Sequence, residues 1–172
     1  MPCRAWRFDY VHLEGNSVRV WLHAETLIVN LYLHSRRSSW YHSHFALQAW
    51  EGVFGGIVIH GPATANYDED LGNVFLNDWD HDTVDSMYSA AETQGPPTLD
   101  TGLINGMNVW EGAGARFEKS VENGSRYLIR LVNGATDTHF DFSIDNHTLQ
   151  VIASDFVPVS KLELSRCPVI RS

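Results

Sequence analysis

The chain is a succession of short β-prone runs, each closed by turn residues before it could grow into a helix. Val18-Arg19-Val20-Trp21-Leu22 alternates apolar and polar positions, and Thr26 to Tyr32 does so more loosely. Ile57-Val58-Ile59-His60 reads as a buried strand stopped by Gly61-Pro62. Residues 63–73 read as a surface connection, with Val74-Phe75-Leu76 starting the next strand. Leu103-Ile104-Asn105-Gly106 reads as a strand entering a turn, and Phe117 to Val121 and Arg126 to Val132 as strands on either side of Glu122-Asn123-Gly124. Phe140, Phe142 and Ile144 alternate with Asp141, Ser143 and Asp145, one face in and one face out, and Thr148 to Val157 continues in strand-like fashion. Strands at roughly 8–12 residue intervals with turn chemistry between them mark an all-β sandwich or barrel. Only Ser86 to Glu92 suggests a helix, of one or two turns, ended by Gly95-Pro96-Pro97.

Charge and composition then remove whole classes of function. Twelve Lys and Arg against 21 Asp and Glu give a formal charge of -9, a poor surface for holding nucleic-acid phosphates. No apolar run is long enough for a membrane span. The start, Met1-Pro2-Cys3-Arg4, has no apolar core of a secretory signal. Cys3 and Cys167 stand at opposite ends with no histidine close by, so they form neither a CxxC metal site nor a disulfide framework; they could pair only if the termini meet, and two free thiols are expected.

The pattern that points to chemistry is His42-Ser43-His44. In a strand, residues i and i+2 project to one face, so both imidazoles stand together with Ser43 on the reverse side. Imidazole suits Zn, Cu, Fe and Ni, and two neighbouring rings can grip one ion or one each of a close pair. A solvated histidine pair has the same spacing. A cupin would place a glutamate four or five residues later, where this chain has Gln48 and Ala49. Asp78-Trp79-Asp80-His81-Asp82 starts like a calcium loop, but Thr83 stands where the sixth-position glycine belongs and Ser89 where the closing glutamate belongs. That acidic cluster reads as a solvated face.

The surroundings of the histidine pair carry a resemblance. Trp40-Tyr41-His42-Ser43-His44, Gly52-Val53-Phe54-Gly55-Gly56-Ile57-Val58-Ile59-His60-Gly61-Pro62, Asn77-Asp78-Trp79, Leu103-Ile104-Asn105-Gly106 and Phe140-Asp141-Phe142-Ser143-Ile144-Asp145-Asn146-His147 follow one another in order. Together they resemble the multicopper oxidases, specifically fungal-type laccases, over about residues 39–158. The resemblance implies cupredoxin-like β-domains, a copper cofactor, phenolic donors oxidised one electron at a time, and O₂ reduced to water at a trinuclear cluster. It implies that His42 and His44 match one of the HxH motifs of that cluster, each on a different copper of its binuclear pair. Trp40 and Tyr41 would pack around them. It also places Asp137 where many members carry a substrate-pocket carboxylate, although a turn-shaping aspartate in Gly134-Ala135-Thr136-Asp137 reads as well. His60, His81, His139 and His147 are expected as packing or surface histidines. Family members are usually extracellular, and the sequons Asn123-Gly124-Ser125 and Asn146-His147-Thr148 agree.

The match is partial. No HxH precedes His42, and no HCH motif is present for a mononuclear copper. Residues 1–38 are expected as an atypical segment, 39–66 as the end of a first cupredoxin-like domain, 67–158 as the first part of a second, and 159–172 as a divergent tail. Two imidazoles are too few to fix copper geometry, so the chain alone is expected to be inactive, and incomplete domains would leave sheet edges and apolar faces open. Two other readings stay open: a non-enzymatic cupredoxin-like binding module, and a weak metal-binding protein that completes the pair with His12, His23 or His34.

Overall fold

The computed structural model describes residues 11–14, 17–21, 26–30 and 38–169. The all-β expectation is met: the described residues form fourteen strands and one helix, and their sheets do not close into a barrel. The two N-terminal alternating runs are strands. β1 (Val11–Glu14), β2 (Ser17–Trp21) and β3 (Thr26–Asn30) make an antiparallel meander.

β4 (Ser38–His42) and β5 (Phe54–Val58) pair antiparallel, with Trp40 opposite Gly56, Tyr41 opposite Gly55 and His42 opposite Phe54. The two glycines are required by what lies over them. A Cβ on Gly55 would stand 2.6 Å from Cζ of Tyr41, and one on Gly56 would run into the Asn73 side chain. Gly55→Val is therefore expected to lower stability by about 1–3 kcal/mol through overpacking against the Tyr41 ring; thermal melts of the two chains measure it, and an unchanged midpoint would contradict the packing. The strand expected at 57–60 begins earlier and stops at Val58, leaving His60 exposed.

The central element is β6 (Glu69–Trp79), between β10 (Tyr127–Asn133), which runs parallel to it, and β7 (Thr101–Ile104), which runs antiparallel. It starts five residues before the expected Val74, so the supposed surface connection 63–73 holds its first turn of ladder. Val74, Leu76 and Asp78 are all buried, as alternation demands, and with Val132 and Ala135 they supply most of the core among the described residues. A bulge interrupts the parallel ladder, since Leu128 faces Asp70 but Arg130 faces Asn73. Gly72 sits in the extra step with φ +79°, a conformation that disfavours any Cβ.

The crossover between β6 and β10 carries α1 (Val84–Gln94), three turns where one or two were expected. Only Val84 of this helix is buried, which is why its apolar pattern is faint. Asn105 (φ 48°) and Gly106 (φ 75°) make the expected left-handed turn after β7. The Asn105 carboxamide oxygen accepts the Phe75 N–H at 2.8 Å, and its own N–H donates to the Phe75 carbonyl, so the turn is fastened to β6. β8 (Val109–Trp110) and β9 (Ala113–Gly114) form a second tight hairpin. Phe117 to Val121, expected as a strand, is irregular, and only Phe117 is partly covered; apolar side chains without a neighbouring strand do not make a ladder.

β11 (Phe140–Phe142) pairs with β14 (Cys167–Val169), and β12 (Leu149–Ser154) with β13 (Val157–Leu164). The run from Thr148 to Val157 is broken by a two-residue turn at Asp155, whose φ is 47°. Of the segment 159–172, the described residues 159–169 contribute the end of β13 and all of β14.

Candidate metal centre and binding cleft

Trp40 and His42 lie on one face of β4, and their rings stack with centroids 4.4 Å apart. Phe54 and Phe75 approach Trp40 edge-on and contact each other at 5.0 Å, so the imidazole rests on an aromatic platform. The strand ends at His42, and Ser43 and His44 lie in the irregular segment after it, so the strand stops two residues before the His44 that the sequence placed in it. The two rings nevertheless meet, with centroids 4.6 Å apart and planes 33° apart. Ser43 is engaged elsewhere, as expected: its hydroxyl donates to Gln48 Oε1 at 2.7 Å and accepts the Phe45 N–H, while its own N–H donates to the Val53 carbonyl. These bonds fold the 43–53 turn and fix the direction in which the chain leaves His42.

His42 is half-buried and His44 exposed. His42 Nδ1 stands 3.3 Å from the Ser43 carbonyl, at the outer limit of a hydrogen bond. Burial pushes the neighbouring Tyr41 phenol above its usual range. Among the described residues no three His, Cys, Asp or Glu side chains converge on a point. His12, His23 and His34, the candidates for a third imidazole, have no described side chains. The donor set therefore fits copper as two borderline-soft imidazoles, not as a closed site.

His60, His81, His139 and His147 are all exposed. His81 Nδ1 pairs with Asp100 Oδ2 at 2.7 Å, and the hydrogen bonds from His81 hold the Asp100 carboxyl below the usual carboxylate range. Cys167 is a free thiol, pushed up by burial; Cys3 lies outside the described residues.

Asp137 lines a cleft of about 460 Å³ together with Pro96, Pro97, Leu99, Thr138 and Phe140. Its side chain is exposed. The residue that sequence reasoning missed is Asp78. Read there as part of a solvated acidic face, it is only 4% exposed, and the correction has a simple origin. Asp78 continues the inward face of Val74 and Leu76, and its carboxylate accepts N–H bonds from Thr136 (2.8 Å), Asp137 (3.0 Å) and Thr138 (3.2 Å). His81 and Asp82 do face solvent. Asn77 and Asn133 complete the hold on this loop. Asn77 Nδ2 donates to the Gly134 carbonyl, Asn133 Oδ1 accepts the Ala135 N–H, and Asn133 Nδ2 donates to the Thr138 carbonyl. A strand-periodicity count carried two residues further along β6 would have found Asp78 on the core side.

Comparison with known proteins gives one family. Two family models described as multicopper oxidase match residues 71–169 and 23–64. Laccase-1 of Botryotinia fuckeliana is 56% identical over 134 residues, covering 78% of this chain and 24% of that protein. Laccase-2 of the same organism is 46% identical over 132 residues, covering 71% and 23%. The crystal structure of the laccase from Botrytis aclada superposes with a TM-score of 0.78 at 38% identity, covering 90% of this chain and 29% of that one. The chain thus spans about a quarter of the length of the curated relatives it matches.

Proposed function

The chain belongs to the multicopper oxidase family, and we propose that it carries part of a laccase-type oxidase, in which His42 and His44 supply two imidazoles to a copper centre and Asp137 receives the phenolic donor. The observation that carries this reading is the pair of neighbouring rings 4.6 Å apart, one of them braced by Trp40. Copper bound there would supply one-electron redox chemistry and the reduction of O₂ to water. The protein's own share is narrower. Trp40 fixes the ring plane of His42 by stacking, and the 43–53 turn presents His44 beside it. At the cleft, the Asp137 carboxylate accepts the hydrogen bond of a phenolic hydroxyl and takes its proton as the donor is oxidised, while Pro96, Pro97, Leu99 and Phe140 offer an apolar surface to the ring.

We place residues 39–66, with the β4–β5 hairpin, at the end of one cupredoxin-like domain, and 67–158, with the β6 sheet, at the opening of a second. An extracellular setting goes with this reading, supported by Asn123 and Asn146, both exposed in turns and both in glycosylation sequons. No helix among the described residues is long and apolar enough to cross a membrane.

The test is copper titration of the chain followed by electron paramagnetic resonance. Weak, labile Cu(II) binding with nitrogen ligation is expected, because two imidazoles fix neither geometry nor selectivity. His44→Ala should weaken it about tenfold or more, one nitrogen donor being worth at least ~1.4 kcal/mol. Equal binding by the variant would remove the assignment. The copper-loaded chain by itself is expected to leave phenols unoxidised; turnover abolished by His42→Ala would show instead that it is a competent enzyme.

A further inference from the structure

We propose that Asp78 is the positioning residue of the donor cleft: its buried carboxylate folds residues 136–138 around itself and so sets where the Asp137 carboxyl group stands. The proposal rests on the reading of Asp137 as the donor-binding group. Three consecutive N–H groups converge on Asp78, two of them on Oδ2 and one on Oδ1. One is the N–H of Asp137 itself, so the backbone that carries the exposed carboxyl is fixed at its own nitrogen. Only a carboxylate suits this place. It is acceptor-only on both oxygens, bonds from N–H to a charged oxygen are the stronger kind, and three of them offset the cost of burying the charge. An asparagine would have to turn an NH₂ group toward one or two of the N–H donors.

The other two N–H groups of the loop and two of its carbonyls are taken up as well. The Gly134 N–H donates to the Leu76 carbonyl, the Gly134 carbonyl accepts from Asn77, and Ala135 and Thr138 are held by Asn133. All five N–H groups of residues 134–138 are thus bonded although the segment is a loop, and Asp78 lines the same cleft. A group so fixed loses little freedom on binding a donor, which is how preorganised sites hold their ligands.

The test uses the full chain, Asp78→Asn, Asp137→Asn and phenol as the probe. Amide exchange and phenol titration are both followed by NMR. In the parent chain, the Thr136, Asp137 and Thr138 amides should be protected and should shift on phenol addition. Asp137→Asn should weaken phenol binding about tenfold, the size of one lost charge-assisted bond. Asp78→Asn should weaken it by a similar factor and speed exchange at residues 136–138, while β6 and β10 amides stay protected; a purely structural role would loosen those strands too and leave phenol affinity of the folded chain alone. Loss of binding in Asp137→Asn with wild-type binding in Asp78→Asn overturns the positioning role and leaves the donor reading standing. Wild-type binding in Asp137→Asn, or no shift at residues 136–138 on phenol addition to the parent chain, overturns the donor reading and the positioning role with it. If Asp78→Asn fails to fold, Asp78→Glu takes its place under the same two readouts: parent-like binding with slow exchange at residues 136–138 despite the displaced carboxylate overturns the positioning role.

Discussion

Arg130→Ala is expected to lower the unfolding free energy by about 3 kcal/mol, the low end of the range for removing one partner of a buried ion pair, because both side chains here are only partly buried. The Arg130 side chain is 8% exposed and that of Asp70 25%. Nε of Arg130 reaches both carboxylate oxygens at 3.1 and 3.0 Å, and Nη2 reaches Oδ2 at 2.6 Å. The pair spans β6 and β10 at the bulge, where one rung of the ladder is displaced, and Gly72 donates its N–H to the same carboxylate at 2.9 Å. The arginine therefore bridges the two strands where their backbones are out of step. Taking it away leaves a half-buried carboxylate with one backbone donor. Chemical denaturation of the two chains measures the loss, and a change below 1 kcal/mol would mean that water satisfies Asp70 in its place.

The same pair sets an acid limb. Burial raises the Asp70 pKa, but the Arg130 hydrogen bond, the Gly72 N–H and the charges of Arg130 and His60 outweigh it, so the folded-state value lies below the ordinary one. A depressed carboxylate contributes stability that is fully present above its unfolded pKa of about 3.9 and is lost as pH falls through the folded value. Stability should thus decline on acidification below about pH 4, and Asp70→Asn, less stable at neutral pH, should decline less over that window. Parallel acid dependence of the two chains would assign the limb to other carboxylates.

How much of this was legible beforehand depended on whether the cause was local. The Asn105-Gly106 turn was, because φ above zero at two successive residues is a local demand that those residues meet. The pairing of His42 with His44 was as well, since only the two-residue period was needed, even though the strand stops at His42. Asp78 and Asp70 were misplaced for one reason. Each sits in a run of acids that looks solvated, yet Asp78 is buried and Asp70 half-buried because of a partner some sixty residues away, the Thr136–Thr138 amides for one and Arg130 for the other. A charge run says nothing about such a partner. The run from Phe117 to Val121 failed in the opposite sense: it has the composition of a strand and no neighbour to pair with.

Asn133 shows the same long-range logic, and its removal should have the second largest effect. It ends β10 and is 4% exposed. Its Nδ2 donates to the Thr138 carbonyl and to the Val169 carbonyl, each at 2.9 Å, and its Oδ1 accepts the Ala135 N–H at 3.0 Å. One side chain thus fastens the cleft loop to itself and to β14. Asn133→Ala removes three bonds and strands two carbonyls and one N–H. Each unsatisfied buried group costs about 1–3 kcal/mol, less where water enters the space left behind, so a total near 3 kcal/mol is expected. Asn133→Asp should cost nearly as much, because its carboxylate still accepts from Ala135 but turns a charge toward two carbonyl oxygens it cannot bond. The pattern, more than the size, is the test: in both variants hydrogen exchange should quicken at Ala135 and in β14, where the β11 ladder loses its anchor, while β6 opposite β7 stays protected. Quickening spread evenly over the chain would mean that Asn133 supports the whole core instead of the junction between the loop and the last strand.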